Sequence, residues 1–165
     1  MKNRSYTIKE GEHAGQTLWS GRYCAIAAFV FLKINGAWHV LANKRGSGTP
    51  DFQGMWNCVC GYLEADECAE EGCTREIREE TGYIIPADLF ELVGVETKPA
   101  VCEHGNVTIR YVAFLDKMPN QVNLEGGEEN EVAEVAWIPL SKISEYEWAF
   151  NHKNRILEIF NGWIE

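Results

Sequence analysis

Two apolar runs joined by Asn35-Gly36 constrain this chain more than any other feature. Residues 22–33 are rich in apolar and aromatic side chains, and residues 37–44 (AWHVLANK) resume the pattern. Asn-Gly accepts the left-handed conformations of a tight turn, so the pair predicts a β-hairpin. Residues 45–53 (RGSGTPDFQ) supply the Gly, Pro, Ser and Asp of a loop, and residues 56–60 predict a short strand. A helix is expected over residues 67–81, closed by Gly82 as a C-cap glycine. Its apolar positions Ala69, Cys73 and Ile77 recur every four residues and should face the core. Gly72 lies on the same side. Glycine there costs about 1 kcal/mol against alanine, so a close contact with a neighbouring strand is predicted. Residues 89–96, 106–115 and 132–138 predict further strands, with the acidic stretch 125–134 leading into the last. Residues 151–163 predict a terminal helix that packs through Ile156, Leu157, Ile159 and Phe160. Strands on both sides of one helix, plus a last helix, predict an α/β fold: a mixed sheet with helices on its faces.

The 165 residues suit a single domain, 1–165, and 45% hydrophobic content supports a folded core. Against 15 Lys+Arg stand 25 Asp+Glu, a net charge of −10. Such a surface repels nucleic acid and anionic membranes, so neither is expected as a partner. If the substrate is a phosphate compound, a cation must be recruited to meet it. Residues 1–10 are polar and carry no signal-peptide pattern, and the apolar run 24–32 is too short to span a bilayer. Cys24, Cys58, Cys60, Cys68, Cys73 and Cys102 form no C-x-x-C pair, so free thiols in a reducing cytoplasm are expected. Cys58 and Cys60 should share one strand face as packing residues. His13, His39, His104 and His152 have no metal-binding spacing, and the expectation for each is an ordinary surface or core group.

The predicted helix carries Arg75-Glu76-Ile77-Arg78-Glu79-Glu80. Glu76, Glu79 and Glu80 stand at i, i+3 and i+4, on one helical face. Like charges at that spacing destabilise a bare helix. With a cation between them they become an oxygen-rich divalent site, suited to Mg²⁺ or, as a substitute, Mn²⁺. Taken alone, a Glu- and Arg-rich helix reads equally well as a solvated face.

The wider spacing separates these readings. Gly61, Glu67, Arg75-Glu76-Ile77, Glu79-Glu80 and Gly82 match the pattern G-x5-E-x7-R-E-U-x-E-E-x-G-U, U being a bulky aliphatic; only Tyr83 departs, at the last position. This resembles the Nudix box. Residues 54–61 (GMWNCVCG) resemble the strand leading into it, typically G-x-W-x-x-P-G-G, with Val59 in place of Pro and Cys60 in place of the first Gly. Trp137-Ile138-Pro139-Leu140 resembles the strand end before the family's closing helices. In all, residues 25–160 can be laid on the family fold, an α/β/α sandwich.

The resemblance implies an enzyme, a metal-dependent pyrophosphohydrolase of nucleotide substrates. It implies Glu79 and Glu80 as principal metal ligands, Glu76 as a further ligand or general base, and the backbone carbonyl of Cys60 as another ligand. Arg75 would orient a glutamate by a charge-assisted hydrogen bond. Glu67 and Gly61 would support the site. A glutamate before the last strand would complete it, Glu131 first, then Glu128 or Glu134. Homodimers occur among relatives, though no interface is legible here. Mg²⁺ would neutralise and orient the diphosphate and acidify bound water, and a glutamate would take the proton.

Substrate residues are not legible. Tyr23, Phe29, Phe52, Trp56, Tyr111 and Phe150 offer stacking surfaces but are expected mostly in the core. Arg22, Lys44 or Arg45 would suit a phosphate, and Asn57 a base, although each has an ordinary structural reading. Pro99 and Ala149-Phe150-Asn151-His152 are similar to features of ADP-ribose-cleaving relatives. Compact size suits those that cleave (deoxy)nucleoside triphosphates to monophosphate and diphosphate. The triphosphate class is the first expectation, ADP-ribose or another nucleoside-diphosphate sugar the second, and a non-catalytic ligand-sensing domain the alternative of another class. The sensing reading is disfavoured because every box glutamate is present.

Overall fold

The computed structural model describes residues 4–101, 103–122 and 130–164. Strands β3 (Cys24–Ile34) and β4 (Ala37–Arg45) form the predicted hairpin, with Asn35 and Gly36 at φ of 49° and 83°. They sit at the centre of a seven-stranded mixed sheet. On one side β3 runs parallel to β8 (Val107–Leu115), which pairs antiparallel with β7 (Glu91–Glu96). On the other, β4 pairs antiparallel with β5 (Trp56–Asn57) and with β9 (Val132–Pro139), while β6 (Cys60–Tyr62) pairs with β3.

Strand β3 is buried on both faces, which explains its near-continuous apolar run. Ile26, Ala28, Val30 and Leu32 pack with α1 (Ala69–Thr81), whereas Ala27, Phe29 and Phe31 pack with α2 (His152–Ile164). The result is the expected sandwich. Helix α1 buries Cys73 and Ile77 and ends on Gly82 at φ 74°, whose N–H bonds the Arg78 carbonyl at 3.0 Å. A Cβ on Gly72 would lie 3.2 Å from both Ile26 and Leu63, so the predicted close approach to a strand is present. No helix among the described residues is long and apolar enough to cross a membrane.

Several boundaries shift. The single strand expected over residues 56–60 is two, because β5 bonds β4 while β6 bonds β3, and the chain crosses between them with Val59 accepting from the Ala28 N–H. Helix α1 begins later than Glu67: Cys68 is the N-cap, its backbone N–H bonding the Glu71 carboxylate at 2.9 Å. The residues at 87–89 form a short 3₁₀ turn after Pro86, so β7 starts at Glu91. A small hairpin of β1 (Arg4–Thr7) and β2 (Thr17–Ser20) had no apolar pattern to announce it.

Candidate active site

Helix α1 and the loop before it deliver one wall of a cleft of about 1860 Å³. Arg75 organises that wall. Its guanidinium donates to both Glu67 oxygens at 2.7 and 2.9 Å, to Glu76 at 2.9 Å, to Glu79 at 3.1 Å and to the Tyr62 carbonyl at 3.0 Å. Charge-assisted bonds of this kind fix direction as well as energy. Glu67 also accepts from the Glu64 N–H at 3.0 Å, so its carboxyl sits below the usual range, chiefly through Arg75. Glu67 is therefore a brace between the loop and the helix.

Gly61 meets Glu76 at close range. A Cβ there would lie 2.0 Å from the Glu76 Oε1, a distance no alanine tolerates. Glycine at this position lets β6 pass directly against the carboxylate. Burial pushes the Glu76 carboxyl up, with Arg75 opposing. Glu80 is more deeply buried and is raised well above the ordinary value, by burial first and then by Glu76 and Glu131; Arg45 and a 2.7 Å bond from the Asn43 amide oppose this.

Glu131 lines the same cleft as Glu80. The Gly46 and Gly48 N–H groups hold the Glu131 and Asn130 carbonyls at 2.6 and 2.9 Å, fixing this segment against the loop after β4. Glu134 instead bonds Lys44 at 2.7 Å and does not line the cleft, and Glu128 lies outside the described residues. Cys60 lines the cleft within extended β6 and has no left-handed φ, so this position does not require glycine. Burial, then Glu80, pushes its thiol up to about 12; the side chain stays protonated and only its carbonyl is a plausible hard donor. Cys58 lies in the α2-side core with Cys60 packed against that core, so both pack as expected, but Cys58 falls between β5 and β6 and the two share no strand face. The five described cysteines are free thiols.

Among the described residues, no three acidic, cysteine or histidine side chains stand within coordinating reach of one point. Glu76 and Glu79 bond Arg75, and Glu80 bonds Asn43. The donor set nevertheless fits a hard divalent cation. It is all oxygen, and Glu80 is buried among like charges that a cation would relieve.

The second wall was legible only in part: Arg45 and Phe150 were candidates from the sequence, whereas Arg110 and Arg155 were not. Arg45, Arg110, Phe150, His152 and Arg155 line the same cleft. Arg45 bonds Asp51 at 2.6 Å and stacks on Phe150, 4.8 Å from the ring centre. Asp51 in turn bonds His104 at 2.9 Å. Of the other cations considered, Arg22 is occupied by the carbonyls of Thr97, Gly105 and Asn106, and Lys44 by Glu134. Asn57 is buried and bonds the Cys58 carbonyl at 2.8 Å, away from the cleft. Phe29, Trp56 and Tyr111 are core residues, whereas Tyr23 is exposed. Arg110 carried no local signal; only its pairing in β8 opposite Ala27 of β3 places it at the cleft.

The profile of the NUDIX domain family matches residues 25–159. The chain belongs to the Nudix family. It is 31% identical over 112 residues to an ADP-ribose pyrophosphatase of Methanocaldococcus jannaschii, covering 68% of this chain and 60% of that one. It is 27% identical over 146 residues to an isopentenyl-diphosphate Δ-isomerase of Klebsiella pneumoniae, covering 85% and 76%. The chain spans only 20% of a longer relative from Caenorhabditis elegans. Among solved structures, the NUDIX domain of Shewanella oneidensis NrtR, complexed with ADP ribose, superposes with a TM-score of 0.73 at 22% identity, covering 87% of this chain and 90% of that one. The mixed sheet flanked by helices is thus the Nudix fold.

Proposed function

We propose that this Nudix protein hydrolyses the diphosphate linkage of a nucleoside-diphosphate derivative in a Mg²⁺-dependent reaction, Mn²⁺ serving as a substitute. The observation that carries this reading is the two-walled cleft. A chain of net charge −10 sets Arg45 and Arg110 in the same cleft as its most crowded carboxylates. One wall suits a cation and the other suits the phosphate oxygens the cation leaves uncovered.

Glu79, Glu80, Glu131 and the Cys60 carbonyl would hold the cation, with Glu76 as a further ligand or the base for water. The bound cation would neutralise the diphosphate and acidify water. Raised by burial, Glu76 is suited to take a proton. Arg75 keeps Glu76 and Glu79 turned to one side, and Glu67 anchors Arg75. The names of similar proteins favour ADP-ribose over a nucleoside triphosphate as the first substrate to test, because one relative is an ADP-ribose pyrophosphatase and one structural neighbour holds ADP ribose. The net charge argues against a nucleic acid polymer.

The test is a Mg²⁺-dependent screen of ADP-ribose, other nucleotide sugars, NADH, dinucleoside polyphosphates, nucleoside triphosphates (oxidised ones included) and isopentenyl diphosphate. Cleavage of ADP-ribose to AMP and ribose 5-phosphate, abolished by a chelator, is expected. Rearrangement of isopentenyl diphosphate without cleavage would overturn the hydrolytic reading. Nucleotide binding without turnover of any compound would overturn it in favour of a sensing domain.

A further inference from the structure

His152 opens α2, and its ring is held in a way the proposed reaction does not use. The Cys58 backbone N–H donates to its Nδ1 at 3.0 Å. An acceptor at Nδ1 leaves the proton of the neutral ring on Nε2. The ring is 6% exposed and packs between Phe29 and Phe150, each with ring centres 5.5 Å away. Its Nε2 makes no hydrogen bond to any described residue and is not among the fully enclosed polar atoms that lack partners. His152 lines the cleft.

The backbone leading to this ring is unusual. Phe150 and Asn151 have φ of 54° and 60°, two consecutive left-handed residues without a glycine. Such conformations cost free energy and persist where the surroundings enforce them. Here they turn Phe150 under Arg45 and aim His152 into the cleft. Arg45 lies over the Phe150 ring, which itself packs on the His152 ring, and Arg110 lines the same cleft.

We infer that His152 is a specificity-determining residue whose Nε2–H donates to a substrate phosphate oxygen in the cleft that Arg45 and Arg110 also line. This rests on the nucleoside-diphosphate reading above and names the group that grips the second phosphate. A neutral donor in a cleft that also holds arginines adds direction without adding charge. It distinguishes an oxygen held at one point from any anion drawn loosely to the cleft.

His152→Asn separates this role from a packing role. The asparagine Oδ1 occupies nearly the place of Nδ1 and still accepts from the Cys58 N–H, but nothing replaces Nε2–H. ADP and inorganic pyrophosphate, each with Mg²⁺, are titrated calorimetrically into the full chain and the variant. Both should bind roughly tenfold more weakly to the variant, the usual worth of a hydrogen bond to a charged group. Equal affinity in the two proteins overturns the role of His152 while hydrolysis by the unaltered protein still stands. Weakened ADP with unchanged pyrophosphate overturns the phosphate assignment. Failure of the unaltered protein to bind either probe overturns this inference, and the substrate screen then decides hydrolysis separately. Imidazole ¹⁵N shifts of the unaltered protein provide a check that needs no variant: a protonated Nε2 is expected, and a protonated Nδ1 overturns the proposal.

Discussion

The two walls of the cleft are built by opposite strategies. The carboxylate wall draws Glu67, Arg75, Glu76, Glu79 and Glu80 from one helix and the loop before it. The cationic wall draws Arg45 from the end of β4, Arg110 from the middle of β8, Phe150 from the turn before α2, and His152 and Arg155 from the start of α2. On the first wall, helical periodicity alone brings the groups together. On the second, they meet because parallel pairing of β3 with β8 and the docking of α2 carry them there. Reactive groups needing strict mutual geometry sit on one rigid element, while groups that grip the remainder of a ligand come from several.

This contrast can be broken experimentally. The largest effect should come from Glu79→Gln, which removes one carboxylate charge from an exposed position on α1. Turnover should fall by roughly three orders of magnitude with little change in melting temperature. An active, metal-responsive Glu79→Gln protein would remove Glu79 from the site. Next comes Gly61→Ala. Its Cβ must displace the Glu76 carboxylate, and a misplacement near 1 Å costs about a hundredfold in rate. Unchanged kcat in this variant would show that Glu76 need not stay where β6 holds it.

The second wall should act mainly on affinity. Arg45→Ala removes the Asp51 pair and the stacking on Phe150, and KM should rise about tenfold, more than kcat falls. A fall in kcat alone would assign Arg45 to the first wall. The smallest effect is on stability against pH. Burial, aided by Arg110 and Arg45, lowers His152 from its ordinary value to about 3. Between pH 6.5 and 3 the unfolded chain therefore binds a proton that the folded protein refuses, so this group's contribution to stability is complete above 6.5 and is lost as pH falls. Any stability gap between the protein and His152→Asn at pH 7, read by chemical denaturation, should narrow at pH 5. A gap that widens on acidification would show that the ring accepts the proton when folded.

The sequence by itself determined whatever depends on short-range periodicity and turn stereochemistry. Asn35-Gly36 specified the hairpin because few residues tolerate two left-handed positions in succession. The spacing from Gly61 to Gly82 specified α1, its carboxylate face and its end, and Gly72 announced a close contact. Tertiary structure decided the rest. Spacing ranked Glu131 ahead of Glu134 only loosely; backbone bonds from Gly46 and Gly48 fix the segment holding Glu131, which lines the cleft, while Lys44 keeps Glu134 outside it. Arg22 and Arg45 both looked suited to phosphate, yet carbonyls capture the first and the cleft receives the second. His152 looked like an ordinary isolated histidine, and a single N–H from Cys58, 94 residues away, sets its tautomer. The physical reason is range. Helix and turn preferences act within a few residues, whereas sheet register and helix docking bring together groups whose local sequence carries no trace of the meeting.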